Sequence, residues 1–428
     1  MWKIMTYQEL LKYIYERHSG NVKLGLDRML SILYAMDNPN LKLRGIHVAG
    51  TNGKGSTCAM LEALCLETGQ KTGLNTSPHL IDYRERIRID GLNICVEDLI
   101  RLYQQWQQVF EENEASFFEI TTAIAFAHFW EIKVETAIFE VGLGGRLDGT
   151  NPFAAQVAAI TSISFDHVRS LGNSLPKIAW EKSGIIKPHQ KVVLGTVPEA
   201  ALNVIKKTCE EKKADLLQLG IDFRISNIRL YEKITTFDYT DENVTIKDLS
   251  VNLSGKHQAY NGGVAVRSFI EWQHANETDL NETVIRKGLQ NVNWIGRMQV
   301  IHEHPTVLID GAHNEEGINL LVKSISEIYS DRRLLVVLAI LRDKKLEQMI
   351  SQISNLANKL IISKNKSKRA AEIEDQVRFA EKYSSDYETS KDVVTATRRA
   401  LEQANPEDVI IITGSLYTIS EVLAEGIF

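Results

Sequence analysis

A glycine-rich turn carries the residues best suited to chemistry. The segment GIHVAGTNGKGST, which ends at Thr57, reads as a strand, a turn over residues 50–55 and the start of a helix. Glycines let backbone N–H groups converge on phosphate oxygens, and a helix amino terminus adds positive potential. Lys54 can reach the terminal phosphates of a nucleotide, and Ser56 or Thr57 offers a hydroxyl to Mg²⁺. The turn therefore predicts nucleotide binding.

The spacing departs from the standard phosphate-loop pattern. Val48 stands where that pattern has its first glycine, and Gly55 stands where it has Ser or Thr. A glycine turn with an incidental lysine is the alternative interpretation. The order of strand, turn and helix favours the nucleotide.

Four other polar side chains could bind a metal or a phosphate. Two of them follow predicted strands, one lies in a turn and one lies in a helix. Glu140 ends the apolar run TAIFE, His167 follows the run 157–164, and Ser77 lies in an SPHL turn. Lys182 lies in a helix that we expect to end at Gly184. From the residues alone, each also has an ordinary structural explanation: a solvated or capping carboxylate, a structural histidine, a turn hydroxyl or a solvated lysine.

Arginines and strand-end acids give two further candidate sites. Arg84 and Arg86 in RERIR can meet an anionic substrate or pair with Glu85 and Asp90, and surface pairing is the usual outcome. In the second half of the chain, Asp310 and His313 follow a strand in LIDGAHN. The carboxyl ends of parallel strands are where ligands bind in open α/β sheets, although acids there can also be simple caps.

The elements that must position these residues read as α/β. Short Ile- and Val-rich runs alternate with helical patterns, which is typical of parallel sheets. In the first part the predicted strands are 45–49, 136–141, 157–164 and 192–197, followed by an antiparallel meander over 223–253 and helix over 256–290. A second series has strands 306–310, 334–340, 360–363 and 409–413, with helical stripes over 318–328 and 346–353. We expect two domains, 1–293 and 294–428.

Composition narrows the class of protein. The chain has 428 residues, of which 44 % are hydrophobic and 24 % charged, so it can bury sizeable cores. A net charge of −6 does not favour nucleic-acid binding. Four cysteines without CxxC spacing predict no disulfide framework and no zinc ribbon, and no apolar run is long enough to span a bilayer. We expect a cytoplasmic protein.

The motifs, in their order along the chain, resemble the Mur ligase superfamily and, within it, the folylpolyglutamate synthase/dihydrofolate synthase family. The resemblance implies a P-loop ATPase-type central domain with a small antiparallel meander, followed by a Rossmann-like glutamate-ligase domain. The segments that carry it run from residue 50 to residue 418: GTNGKGS, TSPHLIDYRERIRI, FFEITTAIAF, EVGLGGRLDGTN, SFDHVRSLG, IAWEKSGIIK, GKHQAYN, GRMQ, LIDGAHN and TGSLYT.

The resemblance also implies roles for individual residues. Lys54, His167, Lys182 and His313 are expected to be catalytic, and one or two Mg²⁺ ions to be held by Ser77, Glu140, His167 and a carbamylated Lys182. ATP is assigned to Gly50, Asn52, Gly53, Lys54, Gly55, Ser56, Thr57, Asn261, Arg297 and Asp310. The other substrates are assigned to Arg84, Phe118, Glu119, Thr121, Thr122, Leu147, Asp148, Gly149 and Ser415. Gly149 departs from the family, which commonly has Ala there.

The activity implied is an ATP-dependent ligation of L-glutamate to a reduced folate, and possible acceptance of dihydropteroate is left open. The substrate carboxylate attacks the γ-phosphate of ATP, and the glutamate amine then displaces phosphate from the acyl phosphate. Two alternatives remain at this point: another Mur-type amino-acid ligase, and a nucleotide-driven ATPase switch that makes no covalent product. The resemblance implies a monomer that acts on small molecules in folate and one-carbon metabolism.

Overall fold

A computed structural model describes residues 5–17 and 25–428. The chain forms two compact units. Unit 1 comprises residues 1–225, 239–247 and 260–292, and unit 2 comprises residues 226–238, 248–259 and 293–428. In the described residues, no helix has both the length and the apolar composition needed to cross a bilayer.

The helices and strands are numbered in chain order. The helices are α1 Tyr7–Glu16, α2 Asp27–Ala35, α3 Pro39–Lys42, α4 Lys54–Glu67, α5 Val96–Glu112, α6 Phe117–Glu131, α7 Val168–Leu171, α8 Leu175–Ser183, α9 Glu199–Lys212, α10 Lys256–Ala275, α11 Glu282–Gln290, α12 Glu315–Ile328, α13 Leu346–Leu356, α14 Ile373–Tyr383, α15 Val393–Gln403 and α16 Leu416–Glu425. A 3₁₀ turn covers Tyr83–Arg86. The strands are β1 Gly45–Ala49, β2 Thr72–Asn75, β3 Ile87–Ile89, β4 Leu92–Asn93, β5 Thr136–Glu140, β6 Val157–Ser162, β7 Lys191–Thr196, β8 Asp215–Gln218, β9 Phe223–Leu230, β10 Thr235–Asp241, β11 Thr245–Val251, β12 Gln299–Glu303, β13 Thr306–Ile309, β14 Leu334–Leu338, β15 Lys359–Ile362, β16 Tyr387–Thr389 and β17 Val409–Thr413.

Unit 1 is built on an eight-stranded sheet in the order β4-β3-β2-β5-β1-β6-β7-β8. Six strands from β2 to β8 run parallel, and β3 and β4 add an antiparallel hairpin at one edge. The central strands β1 and β5 are buried along their whole length, which explains their unbroken apolar sequence. Because β1, β5 and β6 are adjacent and parallel, their carboxyl ends lie side by side.

Helix α4, which follows the glycine turn, is buried on all sides. Its buried residues run without a break from Gly55 to Cys65. Helix α11 covers it closely, since a Cβ on Gly288 would lie 2.8 Å from the Cα of Leu64. The helix is therefore enclosed by its neighbours over this length, with α11 as one of them.

Unit 2 contains a six-stranded sheet in the order β12-β13-β17-β14-β15-β16. Five strands are parallel, and β12 pairs antiparallel with β13 at the edge. The apolar stripes of α12 and α13 pack on this sheet through Ile318, Leu321, Ile325, Met349, Ile350 and Ile353. The parallel order agrees with the predicted Rossmann-like arrangement.

The meander is a separate three-stranded sheet in the order β11-β10-β9. Its loops, 231–234 and 242–244, are too short for parallel crossovers, so the strands are antiparallel as predicted. The predicted strands of both series are present, with ends that differ by a few residues. The sequence reading did not find β2, β3, β4, β8, β12 and β16, which are short or lie at sheet edges.

Candidate active site

The glycine turn is fixed by side chains at the end of the neighbouring strand β6. The N–H of Asn52 donates to the Ser162 hydroxyl at 3.0 Å, and the Thr161 hydroxyl donates to the Asn52 carbonyl at 2.6 Å. The approach is close enough to require glycine, because a Cβ on Gly50 would lie 1.9 Å from Thr161 Oγ1. The turn is therefore pre-formed by its sheet neighbours.

Gly53 ends the turn and starts α4. Its φ of +85° suits glycine, and a Cβ there would lie 2.3 Å from Oδ1 of Asn261. Asn261 on α10 thus lies directly against the turn, which brings two of the residues assigned to ATP together within unit 1.

Two lysines converge on one carbonyl oxygen of the turn. Lys54 Nζ donates to the carbonyls of Gly50 at 3.0 Å and Thr51 at 3.1 Å, and Lys182 Nζ donates to the same Gly50 carbonyl at 2.8 Å. Burial, reinforced by the positive charge of Lys54, lowers the pKa of Lys182 to about 7. The alternative of a solvated lysine at the end of α8 was wrong, because Lys182 is only 4 % exposed.

The first turn of α4 offers two hydroxyls beside these lysines. Ser56 and Thr57 are both buried, and the Thr57 hydroxyl has no hydrogen-bond partner among the described residues. A buried hydroxyl without a partner is costly unless a ligand completes it. This orphaned oxygen fits a nucleotide phosphate or the hydration shell of a Mg²⁺ ion.

The predicted metal ligands Ser77 and Glu140 lie together. The backbone N–H of Ser77 donates to Glu140 Oε2 at 3.0 Å, and Glu140 is buried at the end of β5. His167 follows β6 in a left-handed conformation, and 43 % of its side chain is exposed. Among the described residues, no three His, Cys, Asp or Glu side chains come together as a metal site. Mg²⁺ does not require such a cluster, since it commonly binds one or two carboxylates together with substrate phosphates and water.

The partners of the two arginines in RERIR differ from those predicted for surface pairing. Arg84 forms its ion pair with Asp82 at 2.6 Å, rather than with Glu85 or Asp90. Glu85 instead accepts three backbone N–H groups, from residues 80, 81 and 82. Arg86 is buried, donates to His79 Nδ1 at 2.7 Å and lies over the ring of Phe117. The two arginines thus shape the turn that follows Ser77.

Glu119, which the resemblance assigned to substrate, forms the start of α6. Its carboxylate accepts the N–H of Ser116, whose hydroxyl accepts the N–H of Glu119, so the pair is a capping box. Glu119 also forms an ion pair with Arg28 of α2 at 3.0 Å. This side chain therefore fixes the amino end of the helix that carries the other candidate acceptor residues.

The remaining candidate residues of α6 have different surroundings, and Phe118 lies against the loop 142–149. Thr121 shares a hydrogen bond of 2.7 Å with the Tyr83 hydroxyl, whereas the buried Thr122 hydroxyl has no partner among the described residues. The ring of Phe118 rests on two glycines, since a Cβ on Gly142 or Gly149 would lie 2.6 Å or 3.3 Å from it. On the same helix, Phe117, Ile120, Ala123 and Phe126 belong to the hydrophobic core.

Asp148 is the end of a buried hydrogen-bond chain that the sequence reading missed. Thr150 Oγ1 donates to Asp148 Oδ1, at 2.5 Å, and lies 2.9 Å from Nε2 of His47 on β1. Because the hydroxyl proton is used on Asp148, His47 donates from Nε2. The backbone N–H of Leu143 donates to the other carboxylate oxygen, at 2.7 Å. Burial raises the pKa of Asp148 and lowers that of His47 to about 3.

In unit 2 the predicted residues at the end of β13 do come together. Asp310 is buried and accepts the N–H groups of Met298 at 2.9 Å and Ala312 at 2.8 Å. Burial raises its pKa, and the nearby Arg297 guanidinium opposes that rise. His313 Nδ1 lies 2.9 Å from the Gly311 carbonyl.

Leu147 lies partly exposed in the loop 142–149, next to Asp148. Ser415, also assigned to substrate, caps α16 by accepting the N–H of Thr418 at 3.1 Å. Its hydroxyl is buried and lies 3.2 Å from Nδ2 of Asn365. The geometry gives this serine a structural role.

The sequence reading also missed Arg146. The signal available was weak, since one arginine among glycines in GLGGRLDG is ordinary for a surface loop. His47 offered a clearer signal, as the single polar residue in the apolar strand GIHVA.

Two family models match this chain. The Mur ligase middle domain matches residues 48–268, and the Mur ligase glutamate ligase domain matches residues 296–416. A dihydrofolate synthase/folylpolyglutamate synthase from Bacillus subtilis is 34 % identical over 425 residues, which cover 97 % of this chain and 98 % of that protein.

Solved structures are similar over nearly the whole chain. A Mycobacterium tuberculosis folylpolyglutamate synthase complexed with ADP has a TM-score of 0.92 and 28 % identity, with 98 % of both chains covered. A bifunctional folylpolyglutamate synthase/dihydrofolate synthase with Mn, AMPPNP and L-glutamate bound has a TM-score of 0.87 and 30 % identity, with 99 % of both chains covered. The chain belongs to the Mur ligases, and within them to the dihydrofolate synthase/folylpolyglutamate synthase family.

Proposed function

We propose that this protein joins L-glutamate to the glutamyl carboxylate of a reduced folate at the expense of ATP. The observation that carries the proposal is the convergence of Lys54 and Lys182 on the Gly50 carbonyl, beside the backbone N–H groups of a glycine turn. Two cationic side chains at one oxygen repel each other unless an anion lies between them or one of them loses its charge. Nucleotide phosphates supply an anion beside Lys54, and the carbamylation of Lys182 proposed below removes the second positive charge.

A carboxylate is a poor electrophile, so it must be activated before an amine can attack it. In the proposed route a carboxylate oxygen attacks the γ-phosphorus of ATP, and ADP leaves. The glutamate amine then attacks the acyl carbon, loses a proton and expels inorganic phosphate. The turn and Lys54 hold and neutralise the phosphates, and the loop 142–149 with α6 orients the acceptor.

A divalent metal would neutralise phosphate charge when bound. The residues that fit it are Ser77 and Glu140, which lie together, with His167 as a further candidate ligand. The relative that has Mn, AMPPNP and L-glutamate bound supports the use of a metal, a nucleotide and glutamate by proteins of this family. Asn261, Arg297, Asp310 and His313 stay predicted contacts for ATP and the reacting groups.

Lys182 is proposed to carry a carbamate. Carbon dioxide adds only to a neutral amine, and a pKa near 7 leaves much of this amine neutral at physiological pH. The reaction joins the nitrogen to the carbon of CO₂ and releases one proton. It also replaces a cation that is close to Lys54 by an anion, which removes the repulsion between the two lysines.

The carbamate has a direct test. Incubation with ¹³C-bicarbonate should give one carbamate carbonyl resonance in the wild type that is absent from a Lys182→Met variant. Lys191→Met is the matched control, because Lys191 is exposed and pairs with Asp215. An identical spectrum in the wild type and Lys182→Met would reject the modification.

The ligase activity is tested by incubating the protein with ATP, Mg²⁺, L-glutamate and tetrahydrofolate, with product analysis by mass spectrometry. We expect a folate extended by one glutamate for each ADP formed. A parallel reaction with dihydropteroate shows whether that acceptor is also used. Phosphate release without a new amide would overturn the proposal in favour of a non-ligating ATPase.

A further inference from the structure

We propose that Arg146 is a positioning residue that holds the loop 142–149 against the last turn of α8. It thereby sets where the acceptor pocket lies relative to Lys182. This inference rests on the proposed function, which assigns the acceptor to that loop and Lys182 to the phosphate and metal side.

Arg146 joins these two segments through its backbone N–H and its guanidinium. Its backbone N–H donates to the Glu181 carbonyl at 2.7 Å, and its Nη2 lies 3.0 Å from Glu181 Oε1. Its guanidinium lies over the ring of Trp180, 4.1 Å from the centroid. Arg146 thus contacts Trp180 and Glu181, the two residues that directly precede Lys182 in α8.

The fit between the two segments leaves no room for adjustment. A Cβ on Gly184 would lie 2.3 Å from the Cβ of Arg146, and a Cβ on Gly145 would lie about 3 Å from the carbonyls of Glu181 and Lys182. The other side of the loop is also fixed, because Asn151 Nδ2 donates to the Arg146 carbonyl at 2.8 Å. A change in the position of Arg146 must therefore move the loop 142–149, the carboxyl end of α8, or both.

The contact requires arginine rather than any cation. A planar guanidinium can cover the face of an indole and still donate from its edge to a carboxylate, which an ammonium group cannot do. Trp180 is 51 % exposed, so its ring contributes little to the core. The guanidinium of Arg146 lies on the face of this ring, which favours a role for Trp180 in orienting the guanidinium.

The test is steady-state kinetics of Arg146→Met, which keeps much of the aliphatic stem and loses the fork and the charge. We expect the KM for the folate acceptor and the Mg²⁺ concentration for half-maximal rate each to rise about tenfold, with the KM for ATP unchanged within about twofold. Arg146→Lys should give an intermediate result. Glu181→Gln and Trp180→Phe, which change the other side of the contact, should each reproduce part of the effect.

Arg101→Met is the matched control, because Arg101 forms an exposed ion pair with Glu131 at 2.7 Å in another part of unit 1. It should leave all three constants unchanged. If Arg146→Met and Glu181→Gln keep wild-type constants, or lower only kcat in proportion to lost folded protein, the inference is wrong and the ligase activity stands. If the wild type itself forms no amide, the proposed function fails and takes this inference with it.

Discussion

Single residues at this site are used in ways that their type alone does not reveal. Lys182 is buried beside Lys54, and Glu119 is both a helix cap and an ion-pair partner of Arg28. His47 lies fully buried in β1 and donates to Thr150, which in turn donates to Asp148. This chain connects the strand that leads into the glycine turn with the loop assigned to the acceptor.

Burial of His47 makes stability depend on pH. The unfolded state binds a proton at this side chain with an ordinary pKa of about 6.5, whereas the folded state keeps it neutral down to about pH 3. Below pH 6.5 the unfolded state therefore binds more protons, so the stabilisation is complete above that pH and is lost as the pH falls. Between about pH 6.5 and 5, the wild type should lose about 2 kcal/mol more free energy of unfolding than His47→Gln.

Urea unfolding monitored by circular dichroism at both pH values measures this difference. His189→Gln is the control, because His189 is exposed and the variant also lacks one histidine. It should follow the wild type. Parallel losses in the wild type and His47→Gln would contradict the prediction.

At the scale of elements, the glycine turn and α4 depend on close approach by their neighbours. The end of β6 holds the turn, Asn261 of α10 lies against Gly53, and α11 covers α4 through Gly288. Such contacts leave no space for a Cβ, which is why glycine recurs where these elements meet.

A comparison of Gly53→Ala with Gly69→Ala separates the effect of a close contact with a neighbouring side chain from the effect of backbone strain. Gly53 and Gly69, at the two ends of α4, have similar φ values of +85° and +80°, but a Cβ on Gly69 would meet nothing within 4 Å. Each alanine should cost about 1–2 kcal/mol in backbone strain. Because only Gly53→Ala displaces Asn261, we expect it alone to weaken nucleotide affinity, by about tenfold or more.

Isothermal titration with AMPPNP and Mg²⁺ measures that affinity for the wild type and both variants. Equal affinities for Gly53→Ala and Gly69→Ala would show that the contact with Asn261 is dispensable.

At the scale of the whole molecule, each unit has its own parallel sheet with an antiparallel strand or hairpin at one edge. The net charge of −6 places no constraint on the anionic substrates, because a few positioned cations act on them. Ligand binding to one unit should stabilise that unit specifically, since binding to the folded state alone adds to its stability.

Thermal unfolding can detect this linkage. AMPPNP with Mg²⁺ at about one hundred times its Kd should stabilise the binding unit by about 2.7 kcal/mol, which corresponds to a rise in Tm of about 5 °C for a unit of this size. Lys54→Met should lose most of this rise in Tm, because the variant lacks the ammonium group that neutralises the charge of the phosphates.

Lys191→Met, which changes an exposed lysine, should keep the full rise in Tm. A rise of the same size in Lys54→Met and the wild type would show that Lys54 does not contribute to nucleotide binding.

The sequence predicted the buried strands, the helical stripes of α12 and α13, and the glycine turn, because each has a local pattern of apolar residues or glycines. It missed short edge strands such as β4 and β16, which have too few residues to show a period. It misassigned the partner of Arg84, since Glu85 is occupied by three backbone N–H groups that only the folded turn presents.

By itself, the sequence determined the α/β class, the order of the motifs and the family, because these depend on residue types along the chain. Only the tertiary structure decided that Lys182 is buried beside Lys54, that Asp148 is supported by Thr150 and His47, and that Arg146 joins its loop to α8. The physical reason is that burial and partner choice depend on residues far apart in sequence, some of them more than a hundred positions away, which meet only when the strands pair.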